Sequence, residues 1–154
     1  MRHWLMKTEP ATFGIDDLER APRRTTSWEG VRNFQARNML RDDFSRGDLA
    51  FLYHSSCPEP GIAGIVEVVR AGYPDASAWR RSSEYFDAKS PENKPLWYTV
   101  DVRLKQRFPA VIRLETLRGH ADGALAGMLL LRRGNRLSIT PVESAHWRFI
   151  LSLV

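Results

Sequence analysis

A chain of 154 residues with 43% hydrophobic and 27% charged side chains is long enough to bury a core unaided and too apolar to stay disordered. Its net charge of +5 comes from 23 basic residues, of which only Lys7, Lys89, Lys94 and Lys105 are lysines, leaving 19 arginines. That balance suits an anionic partner such as nucleic acid, and equally suits a compositional habit, so other residues must decide. The single cysteine, Cys57, excludes an internal disulfide and a Cys-rich metal site, while Met1–Lys7 is apolar too briefly for a signal peptide or a membrane span. A cytoplasmic setting without membrane contact is expected.

In chain order, His3-Trp4-Leu5-Met6 reads as an opening strand that stops where Lys7-Thr8-Glu9-Pro10 turns polar. Gly14 caps a short helix over 15–20, with Asp16 and Asp17 in its first turn. Trp28-Glu29-Gly30-Val31-Arg32-Asn33 reads as a loop, and Asn33 as the N-cap of a helix over 34–41. Gly47-Asp48 turns into a strand over 49–54. Pro58 and Pro60 break the chain before a β-branched strand over 62–69, where Gly61 and Gly64 predict a bulge or bend. The stretch 71–94 is irregular, with a helical turn near Ser77–Arg81 and the cluster Tyr85-Phe86-Asp87. Long segments of this kind carry function more often than chance. A strand over 96–104, short helical pieces at 114–118 and 121–127, a strand over 136–142 and a closing helix with Trp147, Ile150 and Leu151 on one face complete the pattern. No repeat or linker divides it, so residues 1–154 form one domain. About six strands with connections too short for βαβ crossovers predict an α+β fold, a small mixed β-barrel with short flanking helices.

Metal chemistry finds little support: His3, His54, His120 and His146 are scattered without zinc spacing. His54 and Cys57 lie three apart, but spacing alone does not make a thiol nucleophile. Gly61-Ile62-Ala63-Gly64 lacks the Lys-Ser/Thr of a phosphate loop and starts a strand. The aspartates Asp16, Asp17, Asp42, Asp43 and Asp48 read as caps and turns. Lys7-Thr8-Glu9 is harder to dismiss, because an amine, a hydroxyl and a carboxylate at a strand end bind a polar ligand or act as acid and base. The densest constellation is Trp28 to Asn38, which places an aromatic plane, a glycine, arginines and amides beside a helix start. Stacking and edge-reading of a nucleobase require that combination. Taken alone, Trp28 serves equally well as a core residue.

Five ordered blocks carry a resemblance: Trp4-Leu5-Met6-Lys7-Thr8-Glu9-Pro10, Trp28 to Asn38, Phe51-Leu52-Tyr53-His54-Ser55, Pro60-Gly61-Ile62-Ala63-Gly64-Ile65 and Leu129 to Ser138. Together they resemble the EVE domain family almost end to end. The resemblance implies a PUA-like fold and the non-catalytic binding of a modified base in DNA or RNA, with no cofactor and no metal. Carried over by position, it implies a base pocket of Trp28, Arg32, Asn33 and Phe34, with Lys7, Thr8 and Glu9 at the strand end and Tyr53, His54 and Ser55 opposite. Arg37, Arg132 and Arg133 are expected on phosphates, with Arg32 a further candidate. Thr8 stands where the family usually has serine, and Phe34 where it has tyrosine, so a contact through that phenolic hydroxyl is absent. Relatives fused to nucleases imply that the effector here is a separate protein. Two other readings stay open: a hydrolase of modified nucleosides acting through Lys7, Thr8 and Glu9, and a protein-interaction module.

Overall fold

The computed structural model describes residues 1–154. Six strands, β1 His3–Thr8, β2 Thr25–Ser27, β3 Leu49–His54, β4 Gly61–Pro74, β5 Tyr98–Arg113 and β6 Ile139–Val142, form one mixed sheet in the order β2-β5-β4-β3-β1-β6. Only β1 and β3 pair in parallel; every other neighbour is antiparallel. Four short helices accompany the sheet: α1 Ile15–Arg20, α2 Phe34–Asn38, α3 Leu114–Arg118 and α4 Ser144–Leu151. None is long and apolar enough to cross a membrane.

Period-two alternation divides the side chains between two cores. Trp4 and Met6 of β1 and Ala50 and Leu52 of β3 join Ile15 and Leu18 of α1 and Ala36 of α2 in the first, the inner core. Leu5, Phe51 and Tyr53 point the other way and pack with Leu117 of α3 and Trp147 and Ile150 of α4. Both faces of the sheet are therefore covered. The inner core is anchored by Asp48, whose buried carboxylate accepts from the Trp4 Nε1–H at 3.0 Å and from the backbone N–H groups of Arg2 and Ser45. Asp48→Ala leaves these donors unpaired, and thermal or urea unfolding is expected to show a loss of about 2–3 kcal/mol.

β4 and β5 are much longer than expected and shift register at several points between Ile62 and Tyr73. Such bulges bend strands, and they fall where glycine was expected to matter. A Cβ at Gly61 or Gly64 would run into the carbonyl oxygens of Ile112 or Gln106 on β5. The expected barrel does not close, however. β2 and β6 are the two ends of the ladder and do not pair, so the structure is an open, bent sheet. With three and four residues, these edges are too short to complete a ring.

Other departures are local. The helix expected over 34–41 ends at Asn38 and widens into a π-helical turn over Met39–Asp43. The last strand starts at Ile139 because the Asn135 side chain takes the Leu137 N–H at 2.9 Å. In α4 the buried face holds His146, Trp147 and Ile150, while Leu151 faces solvent.

Candidate functional site

The open seam of the sheet holds a cavity of about 480 Å³, within the range of small-ligand sites. Lys7, Thr8 and Glu9 at the end of β1 form one side; Thr26 and Ser27 of β2 and the loop Trp28–Arg32 form another. Tyr85 and Ser138 complete the rim. Trp28 both lines the cavity and belongs to the inner core, with 7% of its surface exposed. Its backbone N–H extends the β2–β5 pairing by one bond, to the Val100 carbonyl at 2.8 Å. The position of Trp28 at the cavity wall is thereby fixed to the sheet.

The loop after Trp28 is held by a residue that sequence reasoning passed over. Asp75, 1% exposed, accepts from the Gly30 N–H and the Arg32 Nη1–H, both at 3.0 Å, and from the Ser77 N–H and hydroxyl. Burial opposes its ionisation, but these donors together outweigh it and hold the carboxyl below the usual range. Arg32 also donates to the Tyr85 carbonyl at 2.7 Å and to Ser77 and Val31, and its guanidinium lies 5.7 Å from the Tyr85 ring centroid and 5.3 Å from that of Trp97. Arg32 is thus spent on holding the wall and is not presented to a phosphate. Gly30 adopts φ +88°, and a Cβ there would sit 2.5 Å from the Tyr85 ring. Gly30→Ala is therefore expected to displace the loop or Tyr85, weakening ligand binding about tenfold while the sheet persists, as titration with parallel circular dichroism will show.

Of the three residues on the β1 side, Lys7 is half-buried, with no carboxylate in ion-pair reach, and burial lowers the pKa of its amine. The Thr8 hydroxyl donates to the Phe13 carbonyl at 2.6 Å, and Glu9 is exposed. No nucleophile–base hydrogen bond links the three.

The structure separates the other expected pocket residues from this cavity. Asn33 is the N-cap of α2, its side chain accepting from the Ala36 N–H at 2.9 Å. Phe34, the first residue of α2, stacks on Trp97 at 4.7 Å and is 55% exposed outside the cavity. Tyr53 points into the second core because it alternates with Leu52. Ser55 reaches back to the Thr8 carbonyl, and the His54 ring accepts the Ile15 N–H at 3.1 Å, which ties α1 to β3 rather than pairing with Cys57. Among the expected phosphate contacts, Arg37 is tethered to the Leu96 carbonyl and to Asn38, whereas Arg132 and Arg133 are exposed, in the loop that precedes Ser138. No group of His, Cys, Asp or Glu side chains comes together to hold a metal ion.

His54 carries a pH signature. Burial lowers its pKa, with the Asp16 charge opposing and Arg107 assisting, and the acceptor role requires the neutral ring. The unfolded chain therefore takes up this proton first as pH falls. The contribution of His54 to stability is complete above the ordinary histidine value of about 6.5 and declines below it. Urea midpoints between about pH 7.5 and 5.5 are expected to fall more steeply for the wild type than for His54→Gln, which keeps an acceptor without titrating.

A bent mixed sheet with helices on both faces and a cavity at its open seam defines the molecule as a PUA-like α+β domain. The family described as EVE domain matches residues 2–153, and the chain belongs to it. Thymocyte nuclear protein 1 of Homo sapiens is 40% identical over 166 residues, covering 98% of this chain and 73% of its own. An uncharacterized protein of Schizosaccharomyces pombe, C21.03c, is 39% identical over 163 residues, 99% of this chain and 68% of its own. Among solved structures, a Pseudomonas putida protein superposes with a TM-score of 0.92 at 46% identity, covering 98% of each chain. The human THYN1 protein in complex with 5-methylcytosine-containing DNA superposes with a TM-score of 0.94 at 40% identity, covering 99% of this chain and 97% of its own.

Proposed function

We propose that this domain reads a modified base in DNA, 5-methylcytosine being the first candidate, by admitting it to the cavity beside Trp28. The observation that supports this most strongly is the end-to-end likeness to the human THYN1 protein, solved in complex with 5-methylcytosine-containing DNA. The cavity adds a physical basis: its volume suits an extruded base, Trp28 and Tyr85 offer aromatic surface, and Lys7 supplies an amine without a carboxylate partner. Extrusion costs a few kcal/mol. Stacking returns roughly 1–3 kcal/mol per base, and the exposed Arg132 and Arg133 are candidates for phosphate contacts that would make binding salt-dependent.

Burying one methyl group contributes about 0.8 kcal/mol, roughly fourfold in affinity. Stronger discrimination requires that the plain base leave a polar group unpaired or meet a clash. The same reading assigns the domain a binding role, with any downstream step carried out by a separate effector protein. Nothing in the geometry favours hydrolysis, since the Thr8 hydroxyl is committed to the Phe13 carbonyl.

The test is a titration panel of matched DNA and RNA oligonucleotides, plain or modified, at two salt concentrations. The expected result is tighter binding of the modified DNA at both salts, without turnover. Equal affinity for every plain and modified pair contradicts the reading. Turnover of a free modified nucleoside that is abolished in Lys7→Ala would replace it with a hydrolase.

A further inference from the structure

Immediately before the edge strand β2, Arg23 and Arg24 adopt φ of 56° and 50°, a left-handed conformation that non-glycine residues rarely take. Elsewhere in the chain positive φ falls on Ser56 and on four glycines. The turn is held from several directions: Pro22 starts it, the Arg24 N–H donates to the Ala21 carbonyl at 2.8 Å, and the Thr25 hydroxyl donates to the Arg23 carbonyl at 2.9 Å. Both side chains are exposed and neither has a carboxylate within ion-pair distance, although Arg20 nearby is bridged to Asp17. Strained backbone persists where the surroundings over-determine it, and an outlier of this kind at an exposed sheet edge calls for a functional account.

Its position gives one. Two residues further on, Thr26 lines the cavity from one free edge of the sheet. At the other free edge, Ser138 lines it just before β6, at the end of a loop that carries the exposed, unpaired Arg132, Arg133 and Arg136. An exposed arginine cluster therefore precedes a cavity-lining residue at each of the two unpaired ends of the ladder, Arg23 and Arg24 before Thr26 and Arg132, Arg133 and Arg136 before Ser138.

We propose that Arg23 and Arg24 form a rigid basic knuckle that grips the phosphate backbone of DNA on the β2 side of the cavity, so that the bound strand spans the open seam of the sheet between the two clusters. This rests on the nucleic-acid reading above and adds to it a phosphate-binding site and a path for the backbone. A preset turn removes the backbone share of the ordering cost at binding, leaving only that of the two side chains. Phosphate contacts carry no sequence or modification information, so the knuckle contributes affinity equally to marked and plain DNA.

The experiment measures binding of plain and 5-methylcytosine duplexes across a salt series for the wild type, Arg23→Gly/Arg24→Gly and Arg23→Gln/Arg24→Gln. The glycine pair suits the left-handed backbone and is expected to melt at or above the wild-type Tm. Each lost phosphate contact lowers the slope of log K against log salt by about 0.9, so both double variants are expected to lose close to two units of slope and roughly tenfold or more in affinity. That loss is to be the same for plain and modified duplexes. Unchanged affinity and slope in either variant overturns the knuckle, whatever the wild type shows for modification. A wild-type modification ratio of one, with the slope loss intact, overturns base reading and leaves the knuckle standing.

Discussion

Asp75→Ala is expected to destabilise the domain by about 3 kcal/mol and to remove binding at the cavity. The carboxylate is the common acceptor for the Gly30 N–H, Arg32 and the Ser77 N–H and hydroxyl. Removing it leaves a mostly buried guanidinium without its counter-charge and two backbone donors without an acceptor, and truncating one partner of such a pair costs more than the pair contributes. The consequence passes directly to the site, because Gly30, Arg32 and Tyr85 are all cavity-lining residues that this network sets in place. Urea denaturation of Asp75→Ala beside Asp75→Ala/Arg32→Met measures it. The double variant, which removes the stranded charge, is expected to recover part of the stability but not the binding. A single variant that melts like the wild type would mean that Asp75 does not organise the loop.

The second large effect is expected at Trp28. Loss of one aromatic–base contact costs roughly 1–3 kcal/mol, a drop in affinity of about five- to 150-fold. Because Trp28 also belongs to the inner core, Trp28→Ala is expected to lose about 3–5 kcal/mol of stability as well. The two consequences separate in Trp28→Phe, which keeps an aromatic ring and much of the volume. That variant is expected to stay folded and to bind with an intermediate affinity. Wild-type affinity in a folded Trp28→Ala protein would exclude the indole from the ligand contact.

Much of this was legible in the residues, for identifiable reasons. β1 and β3 follow from apolar runs bounded by polar, glycine or proline breakers, α1 from its glycine cap and acidic first turn, and the Trp28–Arg32 loop stood out by its composition. Less visible were features created by distant pairing. β2 is three polar residues, Thr25–Ser27, with no periodicity of their own, and becomes a strand only by pairing with Val102 and its neighbours. β5 continues through Lys105, Gln106 and Pro109 because β4 supplies a partner, although those residues break any pattern that a strand would show. Asp75 and Tyr85 lay in the irregular 71–94 segment. Length marked that segment as functional, and Asp75-x-Ser77 carried the signal of a side-chain turn, but nothing local pointed the carboxylate at Gly30. Conversely, Asn33, Phe34, Tyr53, His54 and Ser55 belong to recognisable motifs yet serve caps, stacks and cores. Motif membership marked their importance to the fold and not their distance from the cavity.

The central claim is that a modified base enters the cavity beside Trp28, and NMR of a duplex carrying one 5-methylcytosine with a ¹³C-labelled methyl group tests it most directly. On addition of the wild-type protein the methyl resonance is expected to move away from its free-duplex position, because the base exchanges its stacked neighbours for the surroundings of Trp28 and Tyr85, and to take a different bound position with Trp28→Phe. A methyl resonance that stays at its free-duplex position while the duplex is saturated with protein would contradict the account, because the base would then have remained in its stack.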